Sequence, residues 1–255
     1  SVSLLSLRHT CFESVLFGTG IMKGPFAYDK EYANWADDGE YDPVIKTVPK
    51  VEHVSVWDFY PDPDAYNMDE CNYAIERHRY TRPQLRDLKK RPFFRKKSIE
   101  EAIKSGENYS RSWWEDDLND NAVGSNFGSD DATTGNSGVE RFEVLEFWGT
   151  IDRKIAEAQD IEIPKSYKDD EDLQINCWVC NGYVLRLVIN PFTPSRLPYV
   201  ASPYELNPYS FFGIGLAENM DDTQTLMNGF MRMAVDNAVL SGNLLIEVDE
   251  TNLAP

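Results

Sequence analysis

Residues 207–243 read NPYSFFGIGLAENMDDTQTLMNGFMRMAVDNAVLSGN, a proline- and glycine-marked entry followed by one long helical pattern. Leu216, Met220, Met227, Met231, Ala234 and Ala238 recur at steps of three, four or seven and so share a face, which Leu226, Phe230 and Met233 widen. The pattern predicts a helix of roughly 25 residues, a rod of about 37 Å. Asp221 and Asp222 fall in its early turns, where the helix dipole favours negative charge, and Ser241-Gly242 supplies a stop. Gly229 inside the helix costs about 1 kcal/mol relative to Ala, which suggests that another backbone packs closely there. The helix is too polar to cross a membrane, and an element of this kind organises a core or an assembly more readily than it performs chemistry.

Working outward, the chain of 255 residues can bury a sizeable core, and 42% hydrophobic with 13% aromatic residues describes a folded protein. It begins with Ser and reads as helix from its first residues, as a processed or partial chain would. No signal peptide and no run of about 18 apolar residues supports secretion or membrane spanning. Four cysteines (Cys11, Cys71, Cys177 and Cys180) are too few for a disulfide scaffold and fit a reducing compartment. Cys177 and Cys180 form one CxxC on a strand pattern that sends the two sulfurs to opposite faces, so neither zinc nor redox chemistry follows from it.

The net charge of −18 is unevenly spread. Residues 77–97 hold ten Lys/Arg against one acid, Asp87, which leaves 15 basic and 42 acidic residues elsewhere. Most of such a surface repels nucleic acid. Arg82, Arg86, Lys89, Lys90, Arg91, Arg95, Lys96 and Lys97 are the candidates for contact with DNA or an acidic partner, with Tyr80, Phe93 and Phe94 interleaved. The simpler reading pairs these cations with the acids of this chain or of a neighbouring copy.

Local patterns give an α+β chain. A helix is expected over 3–17, with Leu4, Leu7, Cys11 and Val15 on one face and Gly18-Thr-Gly20 ending it. Strands are expected at 21–23, 44–48, 51–60, 73–80 and 141–151; in the last, Phe142, Val144, Glu146 and Trp148 fall on one face. Thr81 can cap a helix over 82–90, and 98–101 reads as a capping box for another that closes at Gly106. Asn181-Gly182 between 175–180 and 183–189 marks a hairpin, because a type I′ turn needs φ > 0 at both positions. Residues 191–208 are proline-punctuated and extended, and 244–248 read as a returning strand. The acidic, Asn/Ser/Gly-rich stretch 107–138 reads as a flexible insertion in which Trp113-Trp114 could dock on a partner. The chain divides into 1–48, a helix plus hairpin; 49–206, a mixed region carrying that insertion; and 207–255, the long helix and its return.

Chemistry is largely missing from the sequence. Asp58, Asp62, Asp64, Asp69 and Glu70 match no metal loop and read as a solvated turn. No nucleophile elbow, phosphate-binding loop or HExxH occurs, and Gly213-Ile-Gly215 lacks the third glycine of a dinucleotide site. No catalytic, cofactor-binding or metal-ligating residue is assigned.

Three patterns in order resemble the portal, or head-to-tail connector, proteins of short-tailed bacteriophages. They are Phe17-Gly-Thr-Gly-Ile-Met22; the segment 51–65 with its Asp62-Pro63 turn, followed by 69–73 and 77–88; and 208–216 with Asp222-Thr-Gln224 and Met227-Asn228. The resemblance implies wing, stem and clip elements, and a ring, usually dodecameric, at one capsid vertex of the virion, assembled in the host cytoplasm. Double-stranded DNA would be packaged and ejected through it, with the terminase large subunit, adaptor or tail proteins and the major capsid protein as partners. Leu216, Met220, Asp221, Met227, Phe230, Met231 and Asp236 would then lie on an inter-subunit or channel-proximal helix. The alternatives are a phage-tail or carbohydrate-active hydrolase using Asp58, Asp62 or Asp64, and a monomeric adaptor.

Overall fold

The computed structural model describes residues 2–35, 41–109, 141–158, 163, 171–192 and 194–242. The expected insertion, its Trp113-Trp114 pair and the returning strand at 244–248 lie outside the described residues, the first except for its opening positions.

Two antiparallel sheets form the body. The first is three-stranded, in the order β2-β1-β8, from Val44–Val54 (β2), Thr19–Tyr32 (β1) and Tyr199–Pro203 (β8). The second is five-stranded, β3-β4-β5-β6-β7, from Phe59–Pro61, Ala74–Thr81, Arg141–Asp152, Asp172–Cys180 and Tyr183–Ile189. Asn181 (φ 52°) and Gly182 (φ 77°) make the tight turn between β6 and β7, as their left-handed conformations require. The segment expected to be extended over 51–60 is split: its first residues complete β2, and a short 3-10 turn at Val56–Asp58 separates them from β3.

Alternation along β5 decides the layers. Phe142, Val144, Glu146 and Trp148 face one side of the large sheet, all buried. At one end of that face, helix α2 (Arg82–Asp87), the 3-10 turn Leu88–Lys90 after it and helix α3 (Lys96–Lys104) cover it through Leu85, Leu88, Ile99 and Ala102. At the other end the three-stranded sheet closes over it through Ile21, Val54 and Tyr199. On the opposite face, helix α4 (Arg153–Ala158) packs Ala156 against Leu173 and Ile175. Cys180 belongs to the first face and Cys177 to the second, and burial pushes both thiols up to about 11.

The start of α3 differs from expectation. Ser98 does not cap it; Arg95 does, so Ser98 sits within the first turn. The cause is tertiary: Phe94 bridges to Arg186 of β7 and the Arg95 N–H donates to the Leu185 carbonyl at 2.7 Å, which fixes the chain there and starts the helix at once. Thr81 does precede α2, and the Gln84 side chain accepts from its backbone N–H at 2.8 Å.

Helix α1 (Val2–Phe17) packs on β1 and β2, and the long helix α5 (Leu216–Gly242) leaves the body beside it. Three glycines make that junction. Gly18 (φ +87°) ends α1, and a Cβ there would collide with the Gly213 carbonyl. A Cβ on Gly213 would lie 2.5 Å from the Glu205 carbonyl oxygen, and one on Gly215 would overlap the Leu16 carbonyl. The backbones therefore touch directly. The Gly213 N–H donates to Thr19 Oγ1 at 2.8 Å, and the Tyr204 N–H donates to the Gly18 carbonyl at 2.9 Å.

Candidate functional site

Helix α5 holds 27 residues, and every one is exposed. The expected stripe exists but covers nothing in this chain: Met227 is 66% and Phe230 59% exposed. Leu216, Met220 and Met231 are likewise bare, as are Asp221 and Asp236. Gly229 has open space where a Cβ would stand. Apolar side chains in water at this density forfeit the burial that normally holds a helix in place. Helix α1 adds Leu4, Leu5, Leu7 and Phe12 to the exposed apolar surface, so the face expected at its Leu4, Leu7, Cys11 and Val15 is not buried either. No described helix is long and apolar enough to cross a membrane.

The basic segment wraps the α2–α3 layer. Several of its cations are held by acids of the same chain: Arg77 and Arg79 both reach Asp58, at 2.8 and 2.5 Å, Lys89 reaches Glu100 at 2.9 Å, and Lys90 reaches Asp87 at 2.8 Å. Arg82 and Arg95 are half-buried and also engaged. Arg86, Arg91, Lys96 and Lys97 stand exposed around them. Phe94 is buried in the core and Tyr80 packs against it, leaving only Phe93 bare among the interleaved aromatics.

The acids near the Asp-Pro turn are engaged in building it. Asp58 is the shared partner of the two arginines, while Asp62 accepts from the Asp64 N–H at 3.2 Å and the Asn72 side chain at 3.0 Å. Glu70 accepts from Asn67 at 2.9 Å. These are the bonds of a structured loop.

Sequence reasoning missed a buried polar cluster where the two sheets meet. Lys23 on β1 places Nζ 2.6 Å from Glu76 Oε2 and 2.5 Å from Glu146 Oε2. His78 Nε2 lies 2.8 Å from Glu146 Oε2, and Tyr199 donates to Glu76 at 2.8 Å. Trp148 Nε1 and Asn176 Nδ2 donate to Glu146 Oε1 at 2.7 and 3.0 Å. Burial opposes charge on Glu146, yet Lys23 and the His78 hydrogen bond outweigh it and hold its pKa at about 2. Burial likewise opposes the Lys23 ammonium, and the two carboxylates more than restore it. Ligand atoms of Glu76, His78 and Glu146 converge as in a metal site, but the Lys23 ammonium already sits between the carboxylates as their cation. The cluster joins strands of both sheets and is a structural keystone. One signal pointed to it: Glu146 shares the inward register of Phe142, Val144 and Trp148.

A well-bonded body and a bare apolar rod together have the organisation of an assembly subunit, and the class of assembly comes from sequence comparison: the chain is a bacteriophage portal protein. It belongs to the Phage SU10 portal protein family, whose model matches residues 38–255. The Asp-Pro turn, Gly213, Gly215 and the entry to α5 fall inside the match, while α1 and Gly18 precede it. No curated protein matches the chain.

Proposed function

We propose that this chain is one subunit of a closed, usually dodecameric, ring at a capsid vertex, through which double-stranded DNA is packaged and later ejected. The observation that carries this reading is helix α5, whose apolar stripe has no buried residue over 27 positions. In a ring, the stripe of one copy packs against the next, and the close approach allowed at Gly229 is filled by a neighbouring backbone. The acids Asp221 and Asp236 then turn towards the channel. An acidic lining suits a conduit, since bound cationic side chains would release counterions and anchor the DNA. In this reading the terminase large subunit, adaptor or tail proteins and the major capsid protein dock on the outer surfaces, with 1–48 wing-like, 49–206 a mixed α/β region and 207–255 stem- or wing-like. Arg86, Arg91, Lys96 and Lys97 are the surface on which an acidic partner or DNA would bear.

Light scattering and electron microscopy of the purified protein test this directly. Closed rings with a central channel are expected. A monomer at concentrations of tens of micromolar, or a particle without a channel, would overturn the proposal.

A further inference from the structure

On the inward face of the large sheet, between the α2–α3 layer and the three-stranded sheet, Trp178 of β6 and Arg186 of β7 stand directly opposite each other in the register. Phe94 touches both: its ring meets the Trp178 ring edge-on at 5.4 Å between centroids, and the Arg186 guanidinium lies 5.5 Å from its centre. Trp178 is 7% exposed, and its indole Nε1 is buried without an acceptor. Arg186 Nε, on the adjoining side chain, is also buried without one. A buried donor left unpaired costs about 1–3 kcal/mol, and two of them side by side mark a missing acceptor.

Charge points the same way. Burial lowers the pKa of Arg186; Glu146 acts to restore it and Arg91 to lower it further. Neither Arg186 nor Arg91 forms an ion pair among the described residues. Glu146, the acid whose charge acts on Arg186, is committed to Lys23, His78, Trp148 and Asn176. An Arg186 guanidinium with an unpartnered Nε thus stands across from an orphaned indole N–H, and Arg91, whose charge acts on Arg186, is exposed three residues before the Phe94 that touches both.

We propose that Arg91, Trp178 and Arg186 form a binding site for a phosphate-type oxyanion. The anion accepts from the indole and from both guanidiniums, so that one ligand satisfies the two buried donors and removes the repulsion between the arginines. Either free phosphate or a phosphate carried by nucleic acid offers this chemistry. The site is independent of whether the chain assembles into a ring.

The test is a titration of the full chain, in phosphate-free buffer at constant ionic strength, with inorganic phosphate, read by calorimetry and by the thermal midpoint. Saturable binding is expected, weakened about tenfold or more in Arg186→Gln and in Arg91→Gln, for the loss of one charge-assisted hydrogen bond. Arg91 is exposed, so its variant reports on the site without threatening the fold. Absence of saturable binding overturns the proposal, as does an Arg91→Gln chain that binds phosphate like the parent. A short duplex added as competitor separates the sources: displacement of phosphate assigns the site to a nucleic-acid phosphate, and failure to displace it assigns the site to the free anion.

Discussion

The sheet junction and helix α5 are opposites built from one chain. At the junction, a lysine and two glutamates are removed from water and almost every polar atom finds a partner within this chain. Along α5 no residue is buried, although apolar side chains recur at core spacing. The subunit is complete at the junction and open along the rod. Internal chemistry is invested in holding two sheets together, and the apolar surface is left outside.

Lys23→Ala has the largest expected effect: it strands two carboxylates in the interior, and loss of one partner from a buried pair costs about 3–5 kcal/mol. Urea unfolding of the variant should show it, and a loss below about 1 kcal/mol would mean that the cluster is better hydrated than its burial implies. Gly18→Ala, at the base of α5, should cost on the order of 3 kcal/mol through its positive φ and its clash with the Gly213 carbonyl, read as a drop in thermal midpoint.

Acid sharpens the same contrast. Glu146 has a folded pKa of about 2, below its ordinary value of 4.5, so its stabilising contribution is complete above 4.5 and is lost as pH falls through about 2. Stability of the parent should therefore decline across that window, and Glu146→Gln should flatten the decline. An unchanged slope in the variant would assign the acid sensitivity to other carboxylates. Gly229→Ala should raise helix stability by about 1 kcal/mol in the unassembled chain, where the added methyl meets open space, while weakening assembly if a neighbour's backbone packs there. Smallest in its effect on folding is Phe230→Asp. Within about 0.5 kcal/mol, unfolding of the single chain should be unaltered, and yet rings should fail to form. A large loss of single-chain stability would show that α5 packs against its own subunit after all.

Much of the body was legible because its signals are local. Asn181-Gly182 announced the β6–β7 turn by conformational need alone, and the alternation of Phe142, Val144, Glu146 and Trp148 gave the inward face of β5. The helical spacing from Leu216 gave α5 almost to the residue. Local signals failed where distant contacts decide. The apparent capping box at Ser98 lost to the anchoring of Phe94 and Arg95 on β7. Beyond the inward register of Glu146, the Lys23 cluster was hidden in sequence, because its two glutamates lie 53 and 123 positions away from the lysine and no spacing rule relates them. What covers the stripe of α5 was equally out of reach, since its surface pattern is the same whether the partner is the domain's own core or another chain.

The contact of Gly18 with Gly213 and Gly215 has a mechanical meaning as well. A helix of 27 residues extends about 40 Å from that point, so it behaves as a lever whose bearing is backbone against backbone at the three glycines. With no side chain at the glycine positions there is no compressible layer between those backbones, and the angle of the lever is held at its root. A tilt of a few degrees there would carry the far end several ångströms sideways, enough to misalign it with an adjacent copy. Three hydrogen atoms in place of side chains thus set the aim of the longest element in the molecule.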